Sequence, residues 1–411
     1  MANKKFLTLD DIDVSGKRVI VRMDLNVPMI SGRVTDNTRV IRLLPTLKEL
    51  LAKKAKIIII SHLGRPKGRY ITDLSLSTLV DTLSLVLPDV NIKFGVDCIG
   101  KEAGEPASNL QEGEILLLEN LRFHEGEEKN DAEFAKELAS IGEIYINDAF
   151  SCSHRKHASV LGITEYLPFA AGRLMEEELT NLQNFLESPE HPVTAVVGGA
   201  KVSTKLALLE NLINKVDNIV IGGAMANTFQ LALGLKVGKS LVEKELKETA
   251  LKIMNLAAEK NCKIHLPIDI MHTNFIPKDN NIYPDSVNSI SNFNDIPDDK
   301  IAFDMGNETL SNIFNVLANS KTVIWNGPLG VFETMPAATS TIMVAREIAR
   351  LTLQNKIKSI AGGGDTVAAL NIARLGDSFS YLSTAGGAFL EWMEGKELPA
   401  VKALENYKLE G

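Results

Sequence analysis

The feature that most constrains this fold is a repeated unit: a short apolar run, a turn, then a segment with helical periodicity. Several runs are almost continuous in Ile, Val and Leu, as in strands that are buried on both faces. Stretches such as TRVIRLLPTLKELLAKKA between them have the pattern of amphipathic helices. This alternation predicts an α/β fold with doubly wound, Rossmann-like parallel sheets. The runs lie at 18–27, 56–63, 114–121, 143–150, 193–199, 218–223, 263–270, 301–306, 322–327 and 358–364.

The number of predicted strands favours two sheets over one, because single open sheets of ten or more strands are uncommon. We place the division near 170–192, where Met175, Leu179, Leu182 and Leu186 form one helical stripe ahead of SPEHP. The alternative is that this helix is one more crossover within a single large sheet. We predict a first domain at 1–172, a connecting helix and linker at 173–190, and a second domain from 191 to 389.

Charge and cysteine usage narrow the class of protein. The 411 residues carry a net charge of −8, which argues against non-specific nucleic-acid binding, although a local basic cleft is compatible with it. Cys98, Cys152 and Cys262 are far apart and form no CxxC pair, which favours a reducing compartment. The N-terminus has no signal-peptide pattern, and no apolar run reaches the length of a membrane span. We therefore expect a cytoplasmic protein without a membrane partner.

The first half has charged and imidazole side chains at its predicted strand ends, where doubly wound folds bind ligands. Arginine is concentrated there, since nine of the thirteen arginines precede residue 160. Guanidinium groups bind phosphate and carboxylate through paired hydrogen bonds, so we predict a pocket for a small multivalent anion. In the alternative interpretation, Arg22 and Asp24 form a structural ion pair and His62 lies at the edge of the core. The candidate residues are Arg22, Asp24, Asn26, His62, Arg65, Arg122, Asn147, Asp148, His154, Arg155 and His157.

The second half has glycines at its predicted strand ends, at 198–199, 222–223, 327, 362–364 and 386–387. Glycine turns that lead into helices let backbone N–H groups approach phosphates. Asp365 follows one of them and could hold Mg²⁺, and Glu333 could accept a ribose hydroxyl. No GxGxxG fingerprint for a dinucleotide is present.

The stretch VVGGAKVSTKLALLENL has the residues of a phosphate-binding loop but not the GxxxxGK[ST] spacing. We predict that its glycines end a strand and that Lys201 and Lys205 share one face of the first helical turns. For this stretch taken by itself, the alternative is that both lysines are simply solvated. A first half that binds a small anion and a second half that binds a nucleotide together favour phosphoryl transfer across a cleft between domains. This reaction relies on positioning and charge stabilisation.

The motifs resemble those of the phosphoglycerate kinase family nearly from end to end. They occur in family order over about 360 residues: RMDLNVP, SHLGRP, LENLRFHEGEEKND, YINDAFSCSHRKHAS, GGAKVSTK, WNGPLGVFE, AGGGDT and, in place of STGGGA, STAGGA. The resemblance implies reversible, Mg²⁺-dependent phosphoryl transfer between ATP and 3-phosphoglycerate in glycolysis. It implies that the phosphoglycerate is bound by Asp24, Asn26, Arg39, His62, Arg65, Arg122 and Arg155.

On the nucleotide side, the resemblance implies that Lys201 contacts the transferred phosphate, Lys205 the nucleotide and Glu333 the ribose. It assigns phosphates and metal to Gly363, Gly364, Asp365 and Thr366, and charge stabilisation of the transferring phosphoryl group to Arg39. It also implies a monomer whose domains close by hinge bending, with a C-terminal segment, 390–411, that returns to the first domain.

The departures from the family pattern are few, and they include Arg173, Asn307 and Ala385. Ala385 interrupts a glycine triplet, which raises the question of backbone freedom at that turn. A non-catalytic nucleotide- or anion-binding relative is the alternative function. Such a protein should lack some of Arg39, Lys201, Lys205 or Asp365, and all four are present.

Overall fold

The computed structural model describes residues 6–30, 32–274, 287–292, 296–333 and 337–407. The chain divides into two compact units, one of residues 1–180 with 397–411 and the other of residues 181–396. The division falls within the helix that the sequence analysis predicts as the connector, and its buried stripe is the predicted one, Met175, Leu179, Leu182 and Leu186.

Unit 1 contains a parallel six-stranded sheet in the order β5-β6-β4-β1-β7-β8, together with a short antiparallel pair, β2 and β3. Its strands are β1 Arg18–Arg22, β2 Met29–Ile30, β3 Arg33–Val34, β4 Lys56–Ile60, β5 Ile92–Gly95, β6 Ile115–Leu118, β7 Ile144–Asn147 and β8 Phe169–Ala171. The four apolar runs of the first half are β1, β4, β6 and β7. The two edge strands were missed because IKFG and FAA are too short to form a recognisable run.

Unit 1 has helices around this sheet, and most of them bury apolar residues. The helices are α1 Thr38–Ala52, α2 Val80–Val86, α3 Gly100–Ser108, α4 Glu125–Lys129, α5 Ala132–Ser140 and α6 Arg173–Leu186. The exception is α4, whose buried residue is Glu127. On α1, Val40, Leu43, Leu47 and Leu50 are buried in the same apolar cluster as the strand residues Ile57 and Ile59. This one-sided burial gives the helix most of its stability, because isolated helices of this length are marginal in water.

The C-terminal helix, numbered α14 in chain order, spans Pro399–Asn406 and packs on unit 1. The backbone N–H of Ala400 donates to the carbonyl of Ser153 at 3.2 Å. The rings of Phe169 and Tyr407 stack with centroids 4.2 Å apart. Residues 397–407 therefore complete the surface of unit 1 although they follow unit 2 in the chain.

Unit 2 contains a second parallel sheet, in the order β11-β10-β9-β15-β16-β17. Counted along the chain within this sheet, the order is 3-2-1-4-5-6, the doubly wound order that binds ligands where the strand order reverses. The strands of unit 2 are β9 Val193–Val197, β10 Asn218–Ile221, β11 Lys263–His265, β12 Asp269–Thr273, β13 Val287–Asn292, β14 Ile301–Met305, β15 Thr322–Asn326, β16 Lys358–Gly362 and β17 Tyr381–Ser383.

Two predicted strands of the second half are corrected by the structure. The run 263–270 splits into β11 and β12, which belong to different sheets, because Pro267 cannot donate a ladder hydrogen bond. The run 301–306 is β14, which pairs antiparallel with β12 in a separate three-stranded sheet. Their composition resembles that of the parallel strands, so only the pairing distinguishes them.

The helices of unit 2 are α7 Leu206–Ile213, α8 Ala224–Ala232, α9 Lys247–Glu259, α10 Asn307–Ala318, α11 Thr339–Leu353, α12 Gly364–Ala373 and α13 Gly387–Met393. The fully buried Trp325 lies in the core beneath α10 and α11, and its indole N–H donates to the carbonyl of Gly327 at 2.7 Å. Among the described residues, no helix is both long and apolar enough to cross a membrane.

Candidate active site

In unit 1, the carboxyl ends of the parallel strands bring the predicted polar residues together. Arg39, from α1, donates to Asp24 Oδ2 at 2.7 Å and to the carbonyl of Asn26 at 3.0 Å. The Asn26 side chain accepts from the N–H of Gly64, and Arg122 donates to the carbonyl of that glycine at 2.7 Å. Loops after β1, β4 and β6 are thus joined by polar contacts around one edge of the sheet.

The buried Arg22 has partners that differ from the predicted one. Asp24, the expected ion-pair partner, bonds Arg39, Ser151 and the N–H of Asn26. Arg22 donates instead to the carbonyl of Met23, to Ser159 Oγ at 3.0 Å and to His62 Nδ1 at 3.0 Å. The ion-pair alternative was wrong because β1 ends at Arg22, and Asp24, which lies beyond the strand, is bonded by Arg39 and Ser151 instead.

Behind Arg22 lies a carboxylate that the sequence analysis did not single out. Glu127 is fully buried and accepts from the hydroxyl of Ser159 at 2.6 Å and from its N–H at 2.9 Å. The same hydroxyl accepts from Arg22, so a hydrogen-bonded chain runs from Glu127 to His62. No local pattern distinguishes Glu127 from Glu125 and Glu128, which flank it in the sequence.

This chain of contacts determines the protonation of His62. A guanidinium can only donate, so His62 Nδ1 must be the acceptor, and the ring proton of the neutral imidazole is on Nε2. Burial holds the pKa of His62 well below its usual value, and the positive charges of Arg22, Arg122 and Arg155 lower it further. His62 is therefore a neutral hydrogen-bond donor through Nε2.

We expect ¹⁵N-detected NMR to find His62 as the Nε2–H tautomer, with a pKa well below 6.5. The signal is assigned by its absence from His62→Gln. Below about pH 6.5, His62 is protonated in the unfolded chain but stays neutral in the folded protein. This residue therefore lowers the free energy of unfolding as the pH falls below that value. Titration at or above pH 6.5, or a proton on Nδ1, would contradict the assignment.

Guanidinium groups are crowded at this edge, since Arg22 and Arg155 both act electrostatically on Arg122. Arg122 is buried, and its Nε makes no hydrogen bond, although Glu128 Oε1 lies 3.2 Å away. Burial lowers the pKa of Arg122, and the charge of Arg155 adds to the effect. Arg155 Nε donates to His154 Nε2 at 3.3 Å, and Arg65 is exposed on the loop after β4. Such crowded positive charge suits a multivalent anion.

In unit 2, glycine turns let two strand-end loops pack backbone to backbone at the point where the strand order reverses. A Cβ on Gly198, after β9, would lie 1.9 Å from the carbonyl oxygen of Pro328, after β15. A Cβ on Gly223 would lie 2.6 Å from the carbonyl oxygen of Gly199. Only glycine fits at these positions, so these turns are required by packing as well as suited to phosphate.

The structure corrects the predicted placement of the two lysines. The helix α7 begins at Leu206, with Lys205 as its N-cap residue, and Lys201 lies exposed in the preceding loop. The lysines therefore do not share a helical face. The loop stays non-helical because Val202 is buried and Ser203 is held by Glu243 through its N–H and its hydroxyl.

Lys205 is directed across the edge of the sheet, where its ammonium donates to Asn326 Oδ1 at the end of β15. The amide of Asn326 in turn donates to the carbonyl of Gly362 at 2.9 Å. Burial lowers the pKa of Lys205, and the carboxylates of Glu394 and Asp365 oppose that effect. Lys205 is thus the more buried of the two lysines and is fixed by a side-chain partner.

A cavity of about 330 Å³ lies at this edge, lined by Gly199, Gly223, Leu329, Glu333 and Asp365 among others. Glu333 and Asp365, predicted for ribose and metal, therefore face one space. Both are exposed, and Asp365 lies in the first turn of α12.

The turn before α12 contains the other predicted phosphate residues. Gly363 has a φ of +99°, a conformation that favours glycine, and Gly364 begins the helix. The N–H of Gly327 donates to Oγ1 of the buried Thr366 at 2.7 Å, which joins the loop after β15 to this turn. The turn thus presents donors at a helix N-terminus.

Comparison with known proteins identifies the family. The family model described as phosphoglycerate kinase matches residues 9–396. The chain belongs to the phosphoglycerate kinase family. It is 50% identical over 397 residues to the phosphoglycerate kinase of Cereibacter sphaeroides, covering 97% of this chain and 98% of that one. It is 51% identical over 405 residues to that of Agrobacterium fabrum, covering 98% and 99%.

Solved phosphoglycerate kinase structures have the same fold. The phosphoglycerate kinase of Coxiella burnetii superposes with a TM-score of 0.87 at 39% identity, covering 97% of this chain and 98% of that one. That of Pyrococcus horikoshii gives a TM-score of 0.80 at 29% identity, also covering 97% and 98%. The two parallel six-stranded sheets and their flanking helices match the predicted α/β class.

The departures from the family pattern have local explanations. Arg173, at the start of α6, bonds Asp10, Glu49 and Glu176, so a charged network stands at this position. In STAGGA, Ala385 replaces the first glycine of the triplet. The positive φ of +50° is at Gly386, whereas Ala385 is buried and its φ is not in the left-handed region. The turn therefore keeps its glycine where one is required. Asn307 is the first residue of α10, where its helical conformation needs no special side chain.

Proposed function

We propose that this chain catalyses reversible transfer of the terminal phosphoryl group of ATP to the carboxylate of 3-phosphoglycerate, giving ADP and 1,3-bisphosphoglycerate, a glycolytic step. The observation that carries the proposal is the difference in residue type between the strand ends of the two units. Unit 1 gathers guanidinium groups and a neutral histidine donor, and unit 2 gathers glycine turns, a lysine and a cavity. We further propose that the protein is a cytoplasmic monomer.

The phosphoglycerate binds, in this proposal, at the arginine-rich edge of unit 1. Its ligands there are Asp24, Asn26, Arg39, His62, Arg65, Arg122 and Arg155. The neutral Nε2–H of His62 donates to an oxygen of the substrate without adding charge, while the guanidinium groups neutralise the phosphate. The attacking group is a carboxylate, already ionised at neutral pH, so no general base is needed.

The nucleotide binds in the cavity of unit 2, with the hydroxyls of its ribose at Glu333. Lys205 and the N-terminus of α12, with Gly363, Gly364 and Thr366, bind the phosphates, and Lys201 contacts the transferred group. The residues present fit Mg²⁺, because an exposed carboxylate, Asp365, stands beside the proposed phosphate position. When bound, Mg²⁺ would neutralise charge on the nucleotide phosphates.

The chemical obstacle in this reaction is repulsion between two anions. Arg39 is the cation that we assign to the transferring phosphoryl group, and its contacts with Asp24 and the carbonyl of Asn26 hold it in place. Preorganised donors of this kind stabilise charge that develops in the transition state without further reorganisation.

A coupled assay tests the proposal. Formation of 1,3-bisphosphoglycerate is followed with ATP, Mg²⁺ and 3-phosphoglycerate, and we expect turnover that depends on all three. Calorimetry with ADP is run in parallel, because binding without turnover would indicate a non-catalytic relative. No activity at high enzyme concentration would overturn the proposal.

A further inference from the structure

A cluster of three metal-ligating side chains lies in unit 1 among residues that the proposed reaction does not use. Asp97 and Cys98 follow β5, and His124 precedes α4 after the end of β6. One ligand atom from each lies within 4.8 Å of the other two. His124 Nε2 and Asp97 Oδ1 are 2.6 Å apart, and the ring of Phe134 packs 5.4 Å from the imidazole. The imidazole is thus already oriented towards the carboxylate.

The charge around this cluster favours a cation. The charged groups that act most strongly on the Cys98 thiol are the carboxylates of Asp97 and Glu127. A second trio, Asp24, His62 and Cys152, has similar spacing, but it lies among guanidinium groups. Arg22 Nη2 is 3.0 Å from His62 Nδ1 and 3.7 Å from Cys152 Sγ, so a cation would be repelled there.

We propose that Asp97, Cys98 and His124 form a binding site for a thiophilic divalent ion of the Zn²⁺ and Co²⁺ class, separate from the magnesium–nucleotide site. Sulfur, imidazole nitrogen and carboxylate oxygen are the ligands such ions take in tetrahedral sites. Binding displaces the thiol proton of Cys98 to solvent and forms a metal–thiolate bond. The side chains of Asp97 and His124 are 36% and 31% exposed, which leaves room for water as the fourth ligand.

The rearrangement that binding requires is small. Metal–ligand bonds of about 2.0–2.3 Å place tetrahedral ligand atoms about 3.3–3.8 Å apart. A separation at the 4.8 Å limit must therefore close by about 1 Å, and the 2.6 Å contact between His124 Nε2 and Asp97 Oδ1 must open by about the same amount. The ion would join the loops that follow β5 and β6. His124 is two residues beyond Arg122, so the bound ion would also hold the segment that contains this arginine.

Titration of the full-length, reduced protein with Co²⁺ tests the proposal directly. We expect a near-ultraviolet sulfur-to-cobalt charge-transfer band and visible bands of tetrahedral Co²⁺ that saturate at one ion per chain. Zn²⁺ should abolish both, and excess Mg²⁺ should not, because Mg²⁺ prefers oxygen ligands.

Matched single variants locate the site. Cys98→Ser should lose the charge-transfer band, and Asp97→Asn and His124→Gln should weaken Co²⁺ binding at least about tenfold, as the loss of even an outer partner of a metal ligand does. Cys152→Ser and Cys262→Ser replace the other two buried cysteines and should keep the band. Circular dichroism verifies the folding of each variant. No band in the unmodified protein, or a band that depends on Cys152 or Cys262, would overturn the proposal.

Discussion

Replacing Arg39 with alanine is expected to lower turnover by about 10²- to 10³-fold, the cost of removing one preorganised charge-stabilising donor. The fold should survive, because Asp24 keeps its hydrogen bonds from Ser151 and the N–H of Asn26. Arg39→Lys should recover only part of the rate, since an ammonium cannot reproduce the planar guanidinium fork. The measurement is steady-state kinetics in both directions, with thermal unfolding of each variant.

Arg42→Ala is the matched control for this prediction. Arg42 is three residues further along α1 and pairs with Glu177, half of whose side chain is exposed, at 2.9 Å. The Arg42 side chain is 20% exposed and lies outside the assigned ligand set, so the control should have near-normal turnover, with thermal unfolding reporting any loss of stability. If Arg39→Ala turned over at a near-normal rate, or if both variants lost activity equally, the role assigned to Arg39 would be wrong.

Lys205→Ala is expected to weaken ADP binding by about tenfold to a hundredfold. A hydrogen bond to a charged group contributes about 1.5–3 kcal/mol, and 1.4 kcal/mol corresponds to a factor of ten in affinity. Lys205 is already partly desolvated and is held by Asn326, so little additional ordering opposes its contact with phosphate. Isothermal titration calorimetry measures the change.

The control for this prediction is Lys215→Ala, just beyond the far end of α7. It removes the same side chain at the opposite edge of the sheet and should leave ADP affinity unchanged. Thermal unfolding is measured for both variants, because Lys205→Ala also removes the ammonium partner of the buried Asn326. Unchanged ADP affinity in a folded Lys205→Ala variant would contradict the assigned role.

The α/β class and most of the parallel strands could be predicted because buried parallel strands are continuous apolar runs. Edge strands such as Phe169–Ala171 could not, since three small or aromatic residues carry no periodicity. The antiparallel pairing of Asp269–Thr273 with Ile301–Met305 was also beyond local reasoning, because pairing partners are not encoded in either segment alone.

For the candidate site, the motifs that follow each predicted strand indicated which residue types lie at the strand ends. It did not identify their partners. The contacts of Arg22 with Ser159 and His62 span 137 and 40 residues of sequence. The loop conformation of Lys201 likewise depends on Glu243, forty residues away from the Ser203 that it holds.

The strand–helix alternation, the concentration of arginine in one half and of glycine in the other, and the family that the motifs resemble could all be inferred from the amino-acid sequence. These properties are local, since each depends on neighbouring residues or on composition. The structure was needed to find that Arg22 sets the tautomer of His62, that Ser159 links Arg22 to Glu127, and that Lys205 reaches Asn326. Such contacts form when strand ends that are distant in sequence meet at one edge of a sheet. The low dielectric around buried groups strengthens these hydrogen bonds and makes an unpaired polar group costly.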